Sequence, residues 1–309
     1  MIFYYFITYL IITSSAFSIT LQEAYNAAES SDEYEKYILL EQNQIYTGGL
    51  GIFEGDVFID CNESLIDLQG GNGIWVYSDE QYPSSLHIEH CTITNGIYYG
   101  LSFGGNSTGE IINCNLVETN FGLKLFDESN VDVKNSIFAS NQTYGIGIYT
   151  ENPILNISHS LFWSNAEDDC MENCPGWGGI WTQFELNENI GIIYENPQFE
   201  NFEDWNFNLL ENSPCIDSGV PELIDLDGSI SDIGANIYNQ NNCSILGDLN
   251  NDNIIDVLDI IASINFLIIC EGEQCFEYSN ITCIDSADLN GDNIVNVLDI
   301  VIMVNIIID

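Results

Sequence analysis

The sequence of 309 residues predicts a mainly β protein, a parallel β-helix, followed by a small α-helical domain. The β-helix is indicated by β-like segments that repeat with a period in the low twenties over the middle of the chain. The helical domain is indicated by two nearly identical segments, GDLNNDNIIDVLD and ADLNGDNIVNVLD, which begin at Gly247 and Ala287. We expect the β-helix to span residues 19–240 and the helical domain to span residues 244–309.

The charge of the chain excludes several classes of partner. It has 3 Lys and Arg residues against 48 Asp and Glu residues, a formal net charge of -45, and all three cations are lysines. Nucleic acid binding needs several Lys or Arg contacts to phosphates, so we expect no nucleic acid partner. Anionic membranes and polysaccharides would be repelled unless a cation bridges the two surfaces. The hydrophobic content of 46% still predicts a folded chain.

The N-terminal residues 1–18, MIFYYFITYLIITSSAFS, are typical of a secretory signal peptide. The apolar run is followed by small residues, with Ala16 and Ser18 in the pattern of a cleavage site. The alternative is an N-terminal membrane anchor, for which the run is short. No later segment is predicted to span a membrane. We therefore expect a secreted, extracellular protein.

Ten cysteines in an exported chain permit disulfide bonds, whose pairing the sequence leaves open. They do not predict a zinc site, because no paired CxxC motif occurs. The histidines, His87, His90 and His159, lie outside any such motif.

An opening helix and four aligned segments define the β-helix. Thr20 and Glu23 have the spacing of a capping box, and the apolar face of the helix that follows them would close the open end of the solenoid. The segments EHCTITNG, INCNLVETN, VKNSIFASN and ISHSLFWSN align at intervals of 23, 21 and 24 residues. Three columns recur in this alignment: Cys91, Cys114, Asn135 and His159; Ile93, Leu116, Ile137 and Leu161; and Asn120, Asn141 and Asn165. Such columns favour stacked rungs over a β-sandwich.

The two ends of this domain contain characteristic sequence segments. The opening helix is followed by IYTGGLGIF, and the domain closes with ENPQFENFEDWNFNLLENSPCIDSG and DLDGSISDIGANIY. Together with the rungs, these segments resemble the pectin lyase-like, right-handed parallel β-helix proteins. The resemblance implies the fold but no single activity, since this fold carries lyases, hydrolases, adhesins and structural proteins.

Two lysines are weak candidates for the base of a lyase. The resemblance implies a base of Arg or Lys beside carboxylate-bound calcium, and this chain has no arginine. Strand alternation places Lys124 and Lys134 on the outer face, with Asp127 or Asp132 as metal ligands. The plainer interpretation is that both lysines are solvated on a very negative surface.

A carboxylate pair is a weak candidate for a hydrolase site. Asp168 and Asp169 precede Cys170 in a DDC pattern that is similar to that of polygalacturonase-like enzymes, but the accompanying GHG and RIK motifs are absent. In so acidic a chain, a chance match is the plainer interpretation. This insertion contains residues suited either to an aromatic platform for sugar rings or to a disulfide-pinned loop: Cys170, Cys174, Trp177 and Trp181.

The duplicated segment near the C-terminus has the ligand spacing of a calcium loop. Side-chain oxygens at loop positions 1, 3, 5, 9 and 12, with the backbone carbonyl of position 7, surround a seven-coordinate ion. In the first loop these residues are Asp248, Asn250, Asp252, Ile254, Asp256 and Asp259. In the second loop they are Asp288, Asn290, Asp292, Ile294, Asn296 and Asp299. We predict two bound Ca2+ ions.

The arrangement around the loops differs from that of an ordinary EF-hand. Each loop closes with Asp, is followed by one helix and has no helix before it, and the copies begin 40 residues apart. In these features residues 244–309 resemble a type I dockerin module. The resemblance implies a cohesin-type partner. The residues that would contact it are Val257, Leu258, Ile264, Asn265, Val297, Leu298, Val304 and Asn305. No basic residue occurs there, so recognition would be apolar with two symmetric asparagines.

These features predict an exported β-helix that a calcium-dependent dockerin docks to a cohesin-type surface partner, in polysaccharide binding or breakdown. Whether the β-helix is an enzyme is left open; as an enzyme it would be a polysaccharide lyase or a glycoside hydrolase. The alternative is a non-catalytic surface or adhesion solenoid whose C-terminal module is a calcium-stabilised cap. Dockerins usually accompany polysaccharide-degrading modules, which favours the first prediction. The missing arginine favours the second.

Overall fold

A computed structural model describes residues 19–165, 179–182, 190–225, 227–240, 246–250, 254–269, 284–290 and 295–308. The strands in chain order are β1 (Lys36–Leu39), β2 (Ile45–Thr47), β3 (Leu50–Ile52), β4 (Gly55–Asp60), β5 (Leu65–Asp67), β6 (Ile74–Ser78), β7 (Ser84–Glu89), β8 (Thr92–Thr94), β9 (Leu101–Gly105), β10 (Thr108–Ile112), β11 (Asn115–Val117), β12 (Phe121–Leu125), β13 (Asn130–Lys134), β14 (Ile137–Ala139), β15 (Tyr144–Ile148), β16 (Ile154–Ser158), β17 (Leu161–Trp163), β18 (Ile180–Trp181), β19 (Phe199–Asn201) and β20 (Asn206–Leu209). The α-helices are α1 (Leu21–Ala27), α2 (Val257–Ile269) and α3 (Val297–Ile308), and short 3₁₀-helices span Phe202–Asp204 and Ile284–Ala287.

Strands β1 to β18 stack into three parallel sheets of six strands each. Sheet 1 contains β1, β4, β7, β10, β13 and β16, sheet 2 contains β2, β5, β8, β11, β14 and β17, and sheet 3 contains β3, β6, β9, β12, β15 and β18. Each turn of the chain adds one strand to every sheet. The predicted parallel β-helix is therefore confirmed, with six turns among the described residues.

The register of the rungs differs from the predicted alignment by one residue. Each rung passes from sheet 1 to sheet 2 through a residue with left-handed backbone, and these residues set the alignment. Their φ angles lie between 45° and 50°: His90, Asn113, Asn135 and His159. The predicted column that joins Cys114 to Asn135 is therefore wrong. So is the column that joins Leu116 to Ile137, because Leu116 pairs with Phe138.

A buried polar column follows the turn from sheet 2 to sheet 3. Asn141 Nδ2 donates to the backbone carbonyl of Leu116 (2.9 Å), and its Oδ1 accepts from the N–H of Thr119 (3.1 Å). Asn165 makes the equivalent bonds one rung further along. Thr119 completes the column in place of the predicted Asn120, so that buried backbone groups of the turn have hydrogen-bond partners.

Helix α1 covers the N-terminal end of the solenoid. The Thr20 hydroxyl accepts from the N–H of Glu23 (3.1 Å), and the Glu23 carboxylate accepts from the N–H of Thr20 (3.0 Å). The predicted capping box is therefore confirmed. Leu21 is fully buried in the core, and Ala24 and Tyr25 pack beside it.

The closing segment, residues 190–240, packs along sheet 2 and its turns. Its buried Phe207 belongs to an apolar cluster that includes side chains of sheet 2. Asn113 Nδ2 donates to the carbonyl of Asp232 (2.9 Å), and Asn135 Oδ1 accepts from a backbone N–H of the same segment (2.8 Å). The asparagines of the left-handed turns thus bind the closing segment to the solenoid.

Two buried carboxyl groups in this segment predict a stability that falls as the pH rises. Burial raises the pKa of Asp225 from 3.8 to about 6 and the pKa of Asp232 from 3.8 to about 7. Between about pH 4 and pH 7 these groups hold more protons in the folded than in the unfolded chain, so their contribution to the free energy of unfolding decreases with pH. Urea unfolding across this window measures the slope.

Two variants isolate this contribution, one at a buried carboxyl group and one at an exposed carboxyl group. Asp232→Asn should make the dependence of the unfolding free energy on pH less negative than in the wild type. Glu211→Gln, which changes an exposed carboxyl group of the same segment, should leave the dependence unchanged. Equal slopes for Asp232→Asn and the wild type would contradict the assignment.

The C-terminal module has a small core of its own. The buried residues come from both loop-helix repeats: Leu249, Ala262, Ala287 and Met303. Helices α2 and α3 begin at equivalent points of the two repeats, as the duplicated segment predicts. No described helix is long and apolar enough to cross a membrane. The predicted signal peptide, residues 1–18, lies outside the described residues.

Candidate functional site

The described parts of the two duplicated loops are arranged around their last aspartate in the same way. Asp259 is fully buried, and its Oδ1 accepts from the N–H groups of Leu249 (2.9 Å) and Asn250 (3.2 Å). Its Oδ2 accepts from the N–H of Asp256 (2.8 Å). Asp299 accepts equivalent bonds of 3.0, 3.2 and 2.8 Å from Leu289, Asn290 and Asn296. The sequence repeat is therefore a structural repeat.

The donors around each loop suit calcium, which prefers carboxylate, amide and carbonyl oxygens. Oδ2 of Asp259 accepts the hydrogen bond from the N–H of Asp256, and a carboxylate oxygen has two lone pairs, so it can also bind a cation. Asp248, at the first loop position, is buried as well. The predicted ligands that lie outside the described residues are Asp252, Asp292 and Ile294. The described ligand residues are Asp248, Asn250, Ile254, Asp256, Asp259, Asp288, Asn290, Asn296 and Asp299.

The predicted partner face of this module is largely exposed and apolar. Val257 and Leu258 at the start of α2, and Val297 and Leu298 at the start of α3, are each more than half exposed. The remaining predicted contacts comprise three exposed residues and one partly exposed residue: Ile264, Asn265, Asn305 and Val304, in that order. The starts of the two helices therefore expose equivalent apolar surfaces.

The structure does not bring the candidate catalytic lysines together. Lys124 lies on β12 in sheet 3, whereas Lys134 lies on β13 in sheet 1. Lys134 Nζ is 3.1 Å from Glu110 Oε1, so it forms an ion pair. Asp127 Oδ2 accepts from a backbone N–H of the neighbouring rung (2.8 Å). The other candidates, Asp168 and Asp169, lie outside the described residues, as do Cys170, Cys174 and Trp177.

Sheet 3 has an outer face rich in aromatic rings, which we call the aromatic groove. A cleft of about 330 Å³ lies between them. It is lined by Trp75, Tyr77, Tyr99, Ser102, Gly104, Phe126 and Asp127. Gly104 and Gly147 keep the floor of the groove low, since a Cβ atom at Gly104 would approach the Tyr77 ring to 3.3 Å and one at Gly147 would approach the Phe121 ring to 2.9 Å. Rings therefore lie over glycine positions on neighbouring rungs.

The rings of the groove support one another. The Phe126 and Tyr149 rings stack with centroids 5.0 Å apart, and Trp75 meets Tyr77 edge-on at 5.9 Å. Contacts of this kind hold aromatic side chains in place while leaving a face exposed. Trp75 is 42% exposed. The groove is thus a rigid apolar surface in contact with solvent.

Lys124 lies among the aromatic rings. Its ammonium is 4.2 Å from the ring centroid of Phe121, 5.4 Å from that of Tyr149 and 6.0 Å from that of Tyr99. These are cation–π distances. Burial lowers the pKa of Lys124. The prediction that Lys124 points outward is confirmed, and in the described part of the chain its ammonium contacts rings and forms no ion pair.

One end of the aromatic groove is acidic. A neighbouring cavity of about 570 Å³ shares Tyr77 and Asp127 with the cleft. Its other acidic residues are Asp79, Glu80 and Glu128. The groove therefore combines an apolar middle, one lysine and a negatively charged end.

Residues 31–182 match a family model described as the right handed beta helix region. The described residues of this range form the parallel β-helix of sheets 1 to 3, and the match supports the right-handed form that the resemblance implies. The resemblance of residues 244–309 to a dockerin, and the calcium ions that it implies, stay predictions.

The chain is also similar to a curated protein and to a solved structure. It is 29% identical over 93 residues to the immunity protein RhsIB of Dickeya dadantii (strain 3937), a match that covers 25% of the chain and 56% of that protein. The chain therefore spans about half the length of this curated relative. The solved structure of the pectate lyase Pel9A matches with 14% identity and a TM-score of 0.28, over 71% of this chain and 91% of the other. Neither similarity assigns an activity to the right-handed β-helix.

Proposed function

We propose that the right-handed β-helix binds an extended polysaccharide along the aromatic groove, and that the C-terminal module docks the protein to a cohesin-type partner when calcium is bound. The observation that supports binding is the set of exposed, mutually supported rings over sheet 3. Sugar rings have apolar C–H faces that pack against aromatic rings, and binding sites of this kind are apolar surfaces with a few polar groups at their edges.

The spacing of the groove suits a repeating ligand. Adjacent strands of the sheet are ~4.8 Å apart, close to the length of one pyranose unit in an extended chain. Rings of the aromatic groove come from several rungs: Trp75 from β6, Phe126 just after β12 and Tyr149 just after β15. A polysaccharide that lies along the axis of the solenoid would thus meet one rung per sugar.

The charges at the groove favour a neutral or sparsely charged polymer. Asp79, Glu80 and Glu128 at one end repel a strongly anionic chain. Lys124 is the cation within the groove. Its ring contacts leave its ammonium able to donate a hydrogen bond to a hydroxyl or a single carboxylate of the ligand. A fully ionised polyanion would be bound only with bridging cations.

Replacing Trp75 by alanine is expected to weaken polysaccharide binding by about 30-fold, the equivalent of ~2 kcal/mol for a central Trp contact. Affinity electrophoresis against a panel of neutral and acidic polysaccharides would identify the ligand, and calorimetry would measure the change in Kd. Tyr37→Ala removes a 44% exposed ring from sheet 1, outside the groove, and should leave Kd unchanged. Equal affinities for Trp75→Ala and the wild type would exclude the groove as the binding site.

A second candidate function is polysaccharide cleavage by a lyase, with Lys124 as the base. The observation that favours it is the position of the partly buried Lys124 ammonium among aromatic rings, where burial lowers its pKa, since a base works best when its pKa is near the working pH. The same polysaccharide panel should be assayed for reducing ends and for unsaturated products. Unsaturated products that disappear in Lys124→Ala would establish a lyase. If no polymer gives a product, the protein is a binding solenoid without catalysis.

The docking half of the proposal rests on the equivalent loops and the equivalent apolar surfaces of α2 and α3. In this proposal the protein is secreted, and two Ca2+ ions order the loops so that the partner contacts both helix starts. The alternative is that the same apolar surfaces pack on the β-helix as a cap. Size-exclusion chromatography with a cohesin module, in calcium and in chelator, distinguishes a partner surface from an internal cap.

A further inference from the structure

A group of metal-ligating side chains lies at the edge of sheet 1, and none of its residues belongs to the aromatic groove or to the duplicated loops. It consists of Asp60, Glu89 and His90, each of which offers one ligand atom within 4.8 Å of the others. His90 Nδ1 is 3.2 Å from Asp60 Oδ1. All three side chains are partly exposed, so an ion has access from solvent. Sequence spacing does not reveal this group, because Asp60 and His90 are 30 residues apart.

The backbone around the group is held on both sides. Asp60 is the last residue of β4 and pairs directly with Glu89, the last residue of β7. The next residues on each rung are joined, since Cys61 and Cys91 form a disulfide bond with their Cα atoms 4.8 Å apart. A strand pair and a covalent bond therefore hold the ligand-bearing residues on adjacent rungs. Such preorganisation lowers the cost of gathering ligands around an ion.

The local charges call for a cation. Asp60 and Glu89 are directly opposite each other on neighbouring strands, an arrangement that is destabilising for like charges. Lys134, further along the same sheet, is paired with Glu110. His90 Nδ1 lies close to Asp60 Oδ1, and a divalent ion bound between these side chains would compensate the carboxylate pair.

Glu89 also has an outer partner that orients it. Nε2 of His87 is 3.2 Å from Oε2 of Glu89, and the hydroxyl of Tyr34 is 3.2 Å from Nδ1 of the same imidazole. Hydrogen-bonded partners of this kind fix the orientation of metal ligands and tune the affinity of a site.

We propose that Asp60, Glu89 and His90 bind one divalent first-row transition metal ion, such as Zn2+. One imidazole nitrogen and two carboxylate oxygens are ligands that such ions accept. Calcium fits less well, because it prefers oxygen ligands throughout. Three protein ligands leave a position for water, and the ion joins β4 to β7 beside the disulfide bond.

The test is calorimetric titration of the full-length protein with Zn2+, and with Co2+ followed by absorption, after the C-terminal loops are saturated with Ca2+. The wild type should bind one Zn2+ per chain at this site. His90→Gln should weaken that event by ~10–100-fold or more, in line with the effect of altering groups around a metal. His159→Gln changes the histidine at the equivalent left-handed turn three rungs away and should retain wild-type affinity.

A second variant guards against a folding defect in His90→Gln. Glu89→Gln keeps the size of the side chain and removes one charge, and it should weaken Zn2+ binding while far-UV circular dichroism stays unchanged. Zn2+ binding of equal affinity in wild type, His90→Gln and Glu89→Gln would overturn the proposal. So would the absence of any Zn2+ binding by the wild type in saturating Ca2+.

Discussion

Chelation of calcium is expected to unfold the C-terminal module while the β-helix stays folded. Asp259 and Asp299 are buried carboxylates within acidic loops, and they hold the loop backbone through N–H bonds in both repeats. Without a cation, the remaining carboxylates of each loop repel one another at close range. Since ligands of a metal loop converge only when the ion is bound, the free energy of ion binding becomes free energy of folding.

The expected size of this effect is large for so small a module. A module of about 65 residues buries a smaller fraction of its apolar surface than a large domain does, so packing alone contributes little stability. Calcium at 100 times its Kd adds about 2.7 kcal/mol for each site that binds only the folded state. The free energy of unfolding that is lost when both ions are removed should therefore exceed the stability that the two helices have without them.

Hydrogen exchange of the full-length protein, in calcium and in chelator, measures this directly. Amides of α2 and α3 should lose protection in chelator, and amides of sheets 1 to 3 should keep theirs. Asp248→Ala combined with Asp288→Ala should reproduce the chelator result in the presence of calcium. Glu151→Ala, which removes an exposed carboxylate of the β-helix, serves as the control. Retained protection of both helices in chelator would contradict the calcium prediction.

The same double variant links the ions to docking. If a cohesin-type module binds the wild type in calcium, Asp248→Ala with Asp288→Ala should abolish that binding, because the helix starts are positioned by the loops. Partner affinity that survives the loss of calcium binding would separate the two properties and contradict the docking proposal.

The repeating part of the fold was predictable because each rung repeats one physical requirement. A rung must bury apolar side chains and turn three times, and these requirements recur as columns in the sequence. The register was not predictable to the residue. Cys91 and Cys114 form a conspicuous column, but the left-handed turn at the preceding residue, His90 or Asn113, is what sets the alignment. A one-residue shift exchanges inward and outward positions, so the predicted column at Ile137 was displaced.

The aromatic groove was missed for a related reason. Its signal is present as GIWVYS, GLKLF and GIGIY, where large residues follow a Gly-apolar pair at alternate positions. Alternation alone shows that Lys124 points outward, but it does not show which outward residues of different rungs become neighbours. That requires the register, and the register aligns Lys124 with Ser102 and Gly147. The small neighbours are what allow the surrounding rings to approach the lysine.

Phe138→Ala is expected to destabilise the β-helix by about 3–5 kcal/mol, the range for removing a buried Phe side chain. Phe138 is fully buried, and its ring stacks on that of Phe162 with centroids 5.0 Å apart. It also fills the space beside a glycine of β12 on the preceding rung, since a Cβ atom at Gly122 would approach the Phe138 ring to 2.7 Å. Alanine would leave a cavity between the Phe162 ring and Gly122. The close-packed rungs cannot shift enough to fill it.

The effect should be concentrated at one end of the solenoid. Phe138 lies on β14, the fifth strand of sheet 2, and each rung contacts only its neighbours. Loss of this contact separates the rung of β17 from the stack, so hydrogen exchange should rise in β14 to β17 before it rises near β4. Phe138→Leu should cost less, and Ile154→Ala, at a 48% exposed position of sheet 1, should change stability little. Uniform loss of protection along all six turns would instead mean that the β-helix unfolds as one cooperative unit, with each rung depending on every other.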